Sequence, residues 1–175
     1  MSNLDEIKEL VEQGTLIEFE RRELTNIGNY DTYRRFIYLG HDLNNETSIR
    51  SNERTFRRLS ALWQNFTSGR TIPVALERDH RSAQWARLDP AHQEVWETRV
   101  RHESPELRIL GRFAYCDVFV AFHLYEGSEL SRPHEWDTAI TRCEAEWLTL
   151  FPRSSPVIGN RINDYISTNF TLIRA

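Results

Sequence analysis

The stretch LRILGRF at residues 107–113, followed by DVFVAFHLY at residues 117–125, decides the fold that we predict for this chain. Both segments are rich in β-branched and aromatic residues, which favour strands. The link from Ala114 to Cys116 is short enough for a tight connection, so the two segments are predicted to pair as an antiparallel hairpin. Residues 94–102, EVWETRVRH, also alternate and are predicted as a further strand, although the run from Pro90 to Glu94 could instead start a helix.

The sequence before and after these strand segments predicts helices. Apolar residues at helical spacing favour helices over residues 3–13, 32–43, 53–66, 135–151 and 157–167, the second of them capped by Asp31. Short strands are predicted over residues 15–20, 71–76 and 170–173, and residues 77–88 receive no assignment. The predicted fold class is therefore α+β, with a helical N-terminal layer packed on a small antiparallel β-sheet with C-terminal helices. We expect one compact domain over residues 1–175, with residues 1–90 as its helical part and residues 91–175 as the sheet and its helices.

The basic residues of the chain are almost all arginines. The 22 basic residues include a single lysine, Lys8, although the 175-residue chain has a formal net charge of −4. Arginine offers a planar fork of five donors that suits carboxylates and phosphates. Two explanations of the excess of arginine over lysine remain open. One is the base composition of the coding DNA, and the other is a surface that recognises a macromolecule. The negative net charge argues against attraction of the whole surface to nucleic acid or to a membrane.

No complete motif for a cofactor, a metal or a nucleophile is found in the sequence. The glycines form neither a dinucleotide-binding nor a phosphate-loop pattern, and the histidines beside acids lack the spacing of metal ligands. Cys116 and Cys143 are too few for a disulfide framework and are predicted to be reduced thiols. The N-terminus lacks the pattern of a signal peptide, and no apolar stretch approaches the length of a membrane span. We therefore expect a cytoplasmic protein with no membrane contact, no metal and no cofactor.

Arginines recur at alternating positions in the predicted strands, where they would occupy the sheet face opposite the core. A face that combines Arg, His and Tyr can hold a phosphodiester, stabilise its charge and move a proton. The alternative is a solvated face on which these arginines pair with Glu97, Glu103 and Glu106. The candidate residues of this face are Arg99, Arg101, Arg108, Arg112, His123 and Tyr125.

A second basic edge is predicted on the helix over residues 53–66. Arg54, Arg57 and Arg58 follow Arg50 on the side opposite an apolar stripe that contains Leu59 and Trp63. Such an edge is either solvated or binds an acidic partner or a phosphate, and charge-assisted arginine contacts contribute about 1.5–3 kcal/mol each when desolvated.

The order of three strands and a helix, in WETRVRH, LRILGRF, DVFVAFHLYE and the helix that follows Pro133, resembles the bacterial mRNA-interferase toxins of the RelE/HigB type. The resemblance covers about residues 94–145. It implies a curved antiparallel sheet that cuts ribosome-bound messenger RNA, with RNA-contact and acid–base roles for Arg99, Arg101, Arg108, Arg112 and His123.

Three functions remain open on the sequence. The first is a non-catalytic regulatory or inhibitor-type protein that docks on a protein partner through its Arg/aromatic surface, because interfaces favour these residues. The binding residues would be Arg54, Arg57, Arg58 and Tyr125. The second is a RelE/HigB-like endoribonuclease that acts on RNA, and the third is an enzyme whose catalytic residues are scattered along the chain.

Overall fold

The predicted hairpin forms the centre of a large sheet. The protein is described by a computed structural model, which covers residues 2–19, 35–41, 43–45, 53–77, 82–101 and 105–173. In chain order the strands are β1 (Leu16–Glu18), β2 (Phe36–Gly40), β3 (Ile72–Ala75), β4 (Trp85–Arg87), β5 (Trp96–Val100), β6 (Leu107–Tyr115), β7 (Val118–Glu126) and β8 (Phe170–Leu172).

The sheet is mixed, which corrects the predicted fold class. Over the described residues its strand order is β1-β2-β7-β6-β5-β4-β3-β8. Strands β4 to β7 pair antiparallel as neighbours, whereas β2 is parallel to β7, and β3 is parallel to both β4 and β8. The expectation of a small antiparallel sheet under a helical N-terminal layer is wrong, because the first 90 residues contribute four strands to an eight-stranded sheet. These strands pair with partners far along the chain, which a local pattern does not reveal.

The helices cover both faces of the sheet. The described residues form three helices of ten residues or more, α1 (Asn3–Glu12), α2 (Glu53–Thr67) and α3 (Pro133–Leu150), as the sequence predicted to within two residues at each end. Ser2 begins α1 with a capping box, in which its hydroxyl accepts a hydrogen bond from the Asp5 amide and the Asp5 carboxylate accepts one from the Ser2 amide. Pro133 begins α3 with its dihedral angle already helical.

Each face of the sheet has its own apolar core. On the first face, Trp63 and Phe66 of α2 pack with Trp85, Trp96 and Phe113 of the strands. On the second face, α1 and α3 contact β6, and α3 also contacts β7. Its core includes Ile7, Leu110, Val120, Phe122, Trp136, Ile140, Cys143 and Trp147. The predicted open face of the sheet is therefore wrong, because helices bury its central strands from both sides.

Gly111 allows the two central strands to pack closely. A Cβ atom at this position would lie 2.2 Å from the Val120 carbonyl oxygen and 2.6 Å from the Phe119 ring. The strand register shifts beside Gly111, between Leu110 and Gly111. A side chain of any size would therefore force the β6 and β7 backbones apart at the centre of the sheet.

Two predicted helices are wrong. Residues 36–40, within the helix predicted over 32–43, form strand β2, and residues 31–34 lie outside the described part of the chain. The helix predicted over 157–167 is reduced to a 3-10 turn at Ile162–Asp164. Tertiary contacts replace helical hydrogen bonds there, since the Val157 amide donates to the Phe113 carbonyl over 2.8 Å.

A buried polar cluster fixes this C-terminal segment to the sheet. The Tyr165 hydroxyl donates to the Glu94 carboxylate and accepts from Arg87 Nη1 at 3.0 Å and from the Gly159 amide at 2.9 Å. Arg87 Nη1 also donates to the Gly159 carbonyl at 2.7 Å and lies 3.5 Å from the Glu94 carboxylate. Burial, the largest cause, and the bond to Glu94 raise the pKa of Tyr165, which therefore remains protonated. One guanidinium balances one carboxylate in this closed cluster.

No helix in the described part of the chain is both long enough and apolar enough to span a membrane.

Candidate functional site

A pocket of about 330 Å³ opens where α2 meets the end of β5. Besides α2 and the end of β5, the segment from Ser82 to Gln84 that leads into β4 also lines the pocket. The main chain of Gln84 is fixed on both sides, because its amide donates to the Pro73 carbonyl at 3.0 Å and its carbonyl accepts from the Arg99 amide at 2.9 Å. We call this cavity the arginine pocket, after its lining residues Arg58, Arg99 and Arg101.

Helix α2 contributes one stripe of residues to the arginine pocket. Arg58, Ala61, Leu62 and Asn65 line it, at the spacing that brings residues onto one side of a helix. Leu59, one residue after Arg58, points into the first core and is fully buried. Burial of the core stripe therefore fixes the rotation of α2 and presents Arg58 at the pocket.

Strand β5 contributes Arg99 to the lining and also carries Glu97, which bonds Arg99 and Arg108 on the second face of the sheet. Arg99 lies directly opposite Arg108 of β6 in the strand register, which places two like charges side by side. The Glu97 carboxylate, fully buried, accepts from Arg99 Nη2 with one oxygen and from Arg108 Nη1 at 2.9 Å with the other. Glu106 adds a longer contact to Arg108 at 3.6 Å. Glu97 is thus the residue that holds two guanidiniums at fixed positions.

Arg101 adds a further positive charge at the same place. It follows the last residue of β5 and is partly buried. Burial lowers the pKa of Arg101, and the charges of Arg99 and Arg108 lower it further. The guanidinium still remains protonated near neutral pH, because the usual arginine pKa exceeds 12. Three of the described residues that line the arginine pocket are arginines and none is acidic, although the Arg99 guanidinium itself lies with Glu97 on the second face of the sheet.

His123 and Tyr125 lie beside this group but do not line the pocket. Tyr125 pairs with Arg108 across the strands and His123 pairs with Leu110, so both occupy the second face of the sheet. Their ring centroids are 6.4 Å apart. His123 is buried and Tyr125 half-buried, and burial is the largest cause of the raised pKa of Tyr125. The Arg108 guanidinium lies 5.9 Å from the centre of the Trp136 ring, where a cation–π contact holds it.

The remaining predicted site residues lie elsewhere. Arg112 is buried 5.6 Å above the Trp147 ring and donates to the Gln93 carbonyl, so it is part of the second core rather than of an exposed face. Burial lowers its pKa. Arg54 and Arg57 are exposed on α2 outside the lining of the arginine pocket, and Arg57 pairs with Glu53. Glu103 and Arg50 lie outside the described residues.

The described residues contain no group of three or more His, Cys, Asp or Glu side chains that could hold a metal ion. The two thiols form no disulfide. Burial, with the nearby carboxylates of Asp117 and Asp164, raises the pKa of Cys116 to about 11. Burial also raises the pKa of Cys143. Both thiols are therefore protonated near neutral pH and are poor nucleophiles.

The sequence interpretation missed three polar residues of the arginine pocket. Asn65 follows Arg58 by seven residues, so its place on the same helical stripe could have been found from the spacing alone. Ser82 and Gln84 carry no such signal, because they belong to the stretch that received no assignment. The link between α2 and β5 is a tertiary contact, and it is this contact that brings Arg58 to Arg99 and Arg101.

Comparisons with protein-family models, with curated proteins and with solved structures found no match to this chain.

Proposed function

We propose that this chain is a non-catalytic binding protein, of regulatory or inhibitor type, which docks on a partner protein by holding one of its negatively charged groups in the arginine pocket. One observation carries the proposal. Three of the described residues that line the pocket are arginines and none is acidic, and Arg58 is exposed on α2 at this cavity. Arginines at a cavity favour a negatively charged group, because guanidiniums form charge-assisted hydrogen bonds to carboxylates and phosphates.

The arrangement supports binding more than catalysis. The arginine pocket contains Arg, Asn, Ser and Gln side chains, none of which is a good proton donor or acceptor near neutral pH. His123 lies two strands away from β5 and is buried, so it is poorly placed to exchange a proton with a group in the pocket. The pocket can therefore attract and orient an anion, but its described residues supply no general base.

The ribonuclease proposal stays as a second candidate because of one further observation. Arg99, Arg108 and Tyr125 form a row across β5, β6 and β7, and His123 lies in the next row on the same face. These residues belong to the set that the RelE/HigB resemblance implies. Against it, Arg99 is 4% exposed and His123 is 8% exposed, and α3 packs on the same face. RNA cleavage at this face would require access that the packing restricts.

The binding proposal is tested by quantitative affinity capture with matched variants. The wild-type protein, Arg58→Gln, Arg101→Gln and the control Arg161→Gln are each used as bait, and captured proteins are quantified by mass spectrometry. Arg161 is a suitable control because its side chain is 83% exposed and lies outside the lining of the arginine pocket. We expect at least one captured protein to be lost with both pocket variants and retained with Arg161→Gln. A capture profile that is identical for all four baits would contradict the proposal.

The ribonuclease candidate is tested by expressing the protein in a bacterial host and mapping the 5′ ends of transcripts. New cleavage sites that disappear with Arg108→Ala would favour the ribonuclease over the binding protein. Unchanged transcripts, together with normal growth, would exclude it in that host.

A further inference from the structure

The two edges of the sheet differ in how they are protected against pairing with another strand. In the part of the chain that the structure describes, β1 and β8 are the outermost strands. Proteins protect such edges with charged side chains, prolines, bulges or a short strand. Strand β1 carries the exposed side chain of Glu18, whereas residues 170–173, FTLI, include neither a charge nor a proline. Strand β8 also pairs with β3 without a register shift, so its length of three residues is its main protection.

The backbone of β8 alternates between β3 and the edge of the sheet. The residues on either side of β8 both bond to β3, since the Asn169 carbonyl accepts a hydrogen bond at 3.2 Å and the Ile173 amide donates one at 2.8 Å. The N–H and C=O groups of successive residues point to opposite sides of a strand. Those of Phe170 and Leu172 therefore point away from β3, toward the edge.

Two copies of β8 complement each other about a two-fold axis at Thr171. In an antiparallel pair, opposite residues alternate between those that exchange two hydrogen bonds and those that exchange none. With the axis at Thr171, Phe170 of each copy lies opposite Leu172 of the other. Both of these residues direct their N–H and C=O groups outward, so the four outward groups of each strand all find a partner.

The side chains of β8 suit this arrangement. Thr171, which would meet its own copy at the axis, is exposed and uncharged, and cross-strand threonine pairs stabilise sheets. Phe170 and Leu172 are half-buried against the first core, so their counterparts would continue the same apolar face. A second copy supplies the required spacing of donors and acceptors without any further condition, and two-fold dimers are the commonest oligomers.

We infer that two copies of this chain associate through β8, as an antiparallel pair of edge strands with the two-fold axis at Thr171. The inference goes beyond the proposed function and does not depend on the arginine pocket. Because only four backbone hydrogen bonds join the two short strands, the dimer is weak and forms as the protein concentration rises.

The first test is a disulfide across the two-fold axis. The Cα atoms of the two opposed Thr171 residues would lie about 4.5 Å apart, within the range that a disulfide spans. Thr171→Cys should therefore form covalent dimers under mild oxidation at least tenfold faster than the control Thr141→Cys, at an exposed position on α3. The wild-type protein, with its thiols at Cys116 and Cys143, gives the background rate.

The second test measures the dimer without a new covalent bond. Sedimentation velocity over a wide range of concentrations should show a monomer–dimer equilibrium for the wild-type protein. Thr171→Glu would place two carboxylates side by side at the axis, so it should weaken the dimer at least tenfold, whereas Thr141→Glu should leave it unchanged. Circular dichroism and thermal unfolding establish that both variants are folded.

Three results would overturn the inference. The first is a wild-type protein that stays monomeric at every concentration, with equal oxidation rates for the two cysteine variants. The second is a dimer that persists in Thr171→Glu and forms no disulfide through position 171, because such a dimer uses another surface. The third is a monomeric chain whose Thr171→Cys variant forms mixed disulfides with a different protein in a cell extract. None of these results bears on the proposed function, which is tested at the arginine pocket.

Discussion

Arg87 and Arg99 lie on neighbouring strands and are both buried, but their surroundings balance their charges differently. Arg87 belongs to the closed cluster, where one guanidinium meets one carboxylate, and the Tyr165 hydroxyl and the Gly159 carbonyl complete its hydrogen bonds. Arg87 Nη1, the Tyr165 hydroxyl and the Gly159 amide each have an acceptor of fixed geometry there. The cluster joins β4 to the C-terminal segment, and its role is structural.

The surroundings of Arg99 divide their charges differently. Glu97 accepts hydrogen bonds from two guanidiniums, and Arg101 lies close enough for the charges of Arg99 and Arg108, after burial, to lower its pKa. Arg99 and Arg101 also border the arginine pocket, whereas Arg87 is bonded to the C-terminal segment. The difference teaches that burial of an arginine alone does not indicate function. Several arginines gathered beside a cavity are the more informative feature.

The largest effect is expected for Glu97→Ala, which removes the carboxylate between two arginines. Because Arg99 and Arg108 would then be left buried without their shared partner, the free energy of unfolding should fall by about 3–5 kcal/mol. Urea denaturation measures this loss. Glu106→Ala, at the half-exposed end of the same group, should cost about 0–1 kcal/mol. Similar losses for the two variants would show that Glu97 does not organise the group.

A smaller effect is expected for Tyr165→Phe in the closed cluster. The substitution removes a buried hydroxyl that forms hydrogen bonds with Glu94, Arg87 and Gly159. The free energy of unfolding should therefore fall by about 1–3 kcal/mol. Capture of the proteins that depend on Arg58 and Arg101, quantified by mass spectrometry with the folded variant as bait, should stay at the wild-type level. Weakened binding would mean that the two clusters are coupled, and the contrast between them would then be lost.

Arg101→Gln should change stability in the opposite direction. Burial first, and then the charges of Arg99 and Arg108, lower the pKa of Arg101, so the folded state disfavours its charge and loses that cost when the charge is removed. Because the side chain is partly exposed, solvent screens this repulsion, and the gain should be at most about 0.5 kcal/mol. Thermal and urea unfolding would measure it alongside the expected loss of protein capture. A clear loss of stability would assign Arg101 a structural role like that of Arg87.

The smallest effect is expected for Arg57→Gln. The side chain of Arg57 is 72% exposed, and its partner Glu53 lies one turn away on the surface of α2. Pairs of this kind contribute about 0.3–0.5 kcal/mol, so the free energy of unfolding, measured with urea, should fall by no more than that amount. Binding of captured proteins should not change. A tenfold loss of binding would extend the site along α2 and support the wider basic edge predicted from the sequence.

The sequence predicted elements whose pattern is local. The hairpin and α1, α2 and α3 each span eight residues or more, so their apolar periodicity is clear within a single segment. Strand β2 was mistaken for a helix because its continuous apolar run, FIYL, fits both periods. Strand β4 has three residues and was missed, since that length carries no periodic signal.

The site was predicted in its residue types but not in its grouping. Arg58, Arg99 and Arg101 were candidates from charge and spacing alone, and the structure places all three at one pocket. Arg112 satisfied the same strand alternation but lies under α3, because the covering of the second face depends on contacts between distant segments. Alternation identifies which residues share a face of a sheet. It does not identify which part of that face remains open.

Gly111 has a consequence for finding relatives of this chain. Since even one methyl group would collide with the Val120 carbonyl and the Phe119 ring, substitution at this position requires both central strands to move. We expect glycine to be retained here in descendants of a common ancestor, even where the surface arginines have diverged. A short profile of β6 and β7 that fixes this glycine and its aromatic neighbours should therefore detect distant homologues more sensitively than one weighted on the basic residues.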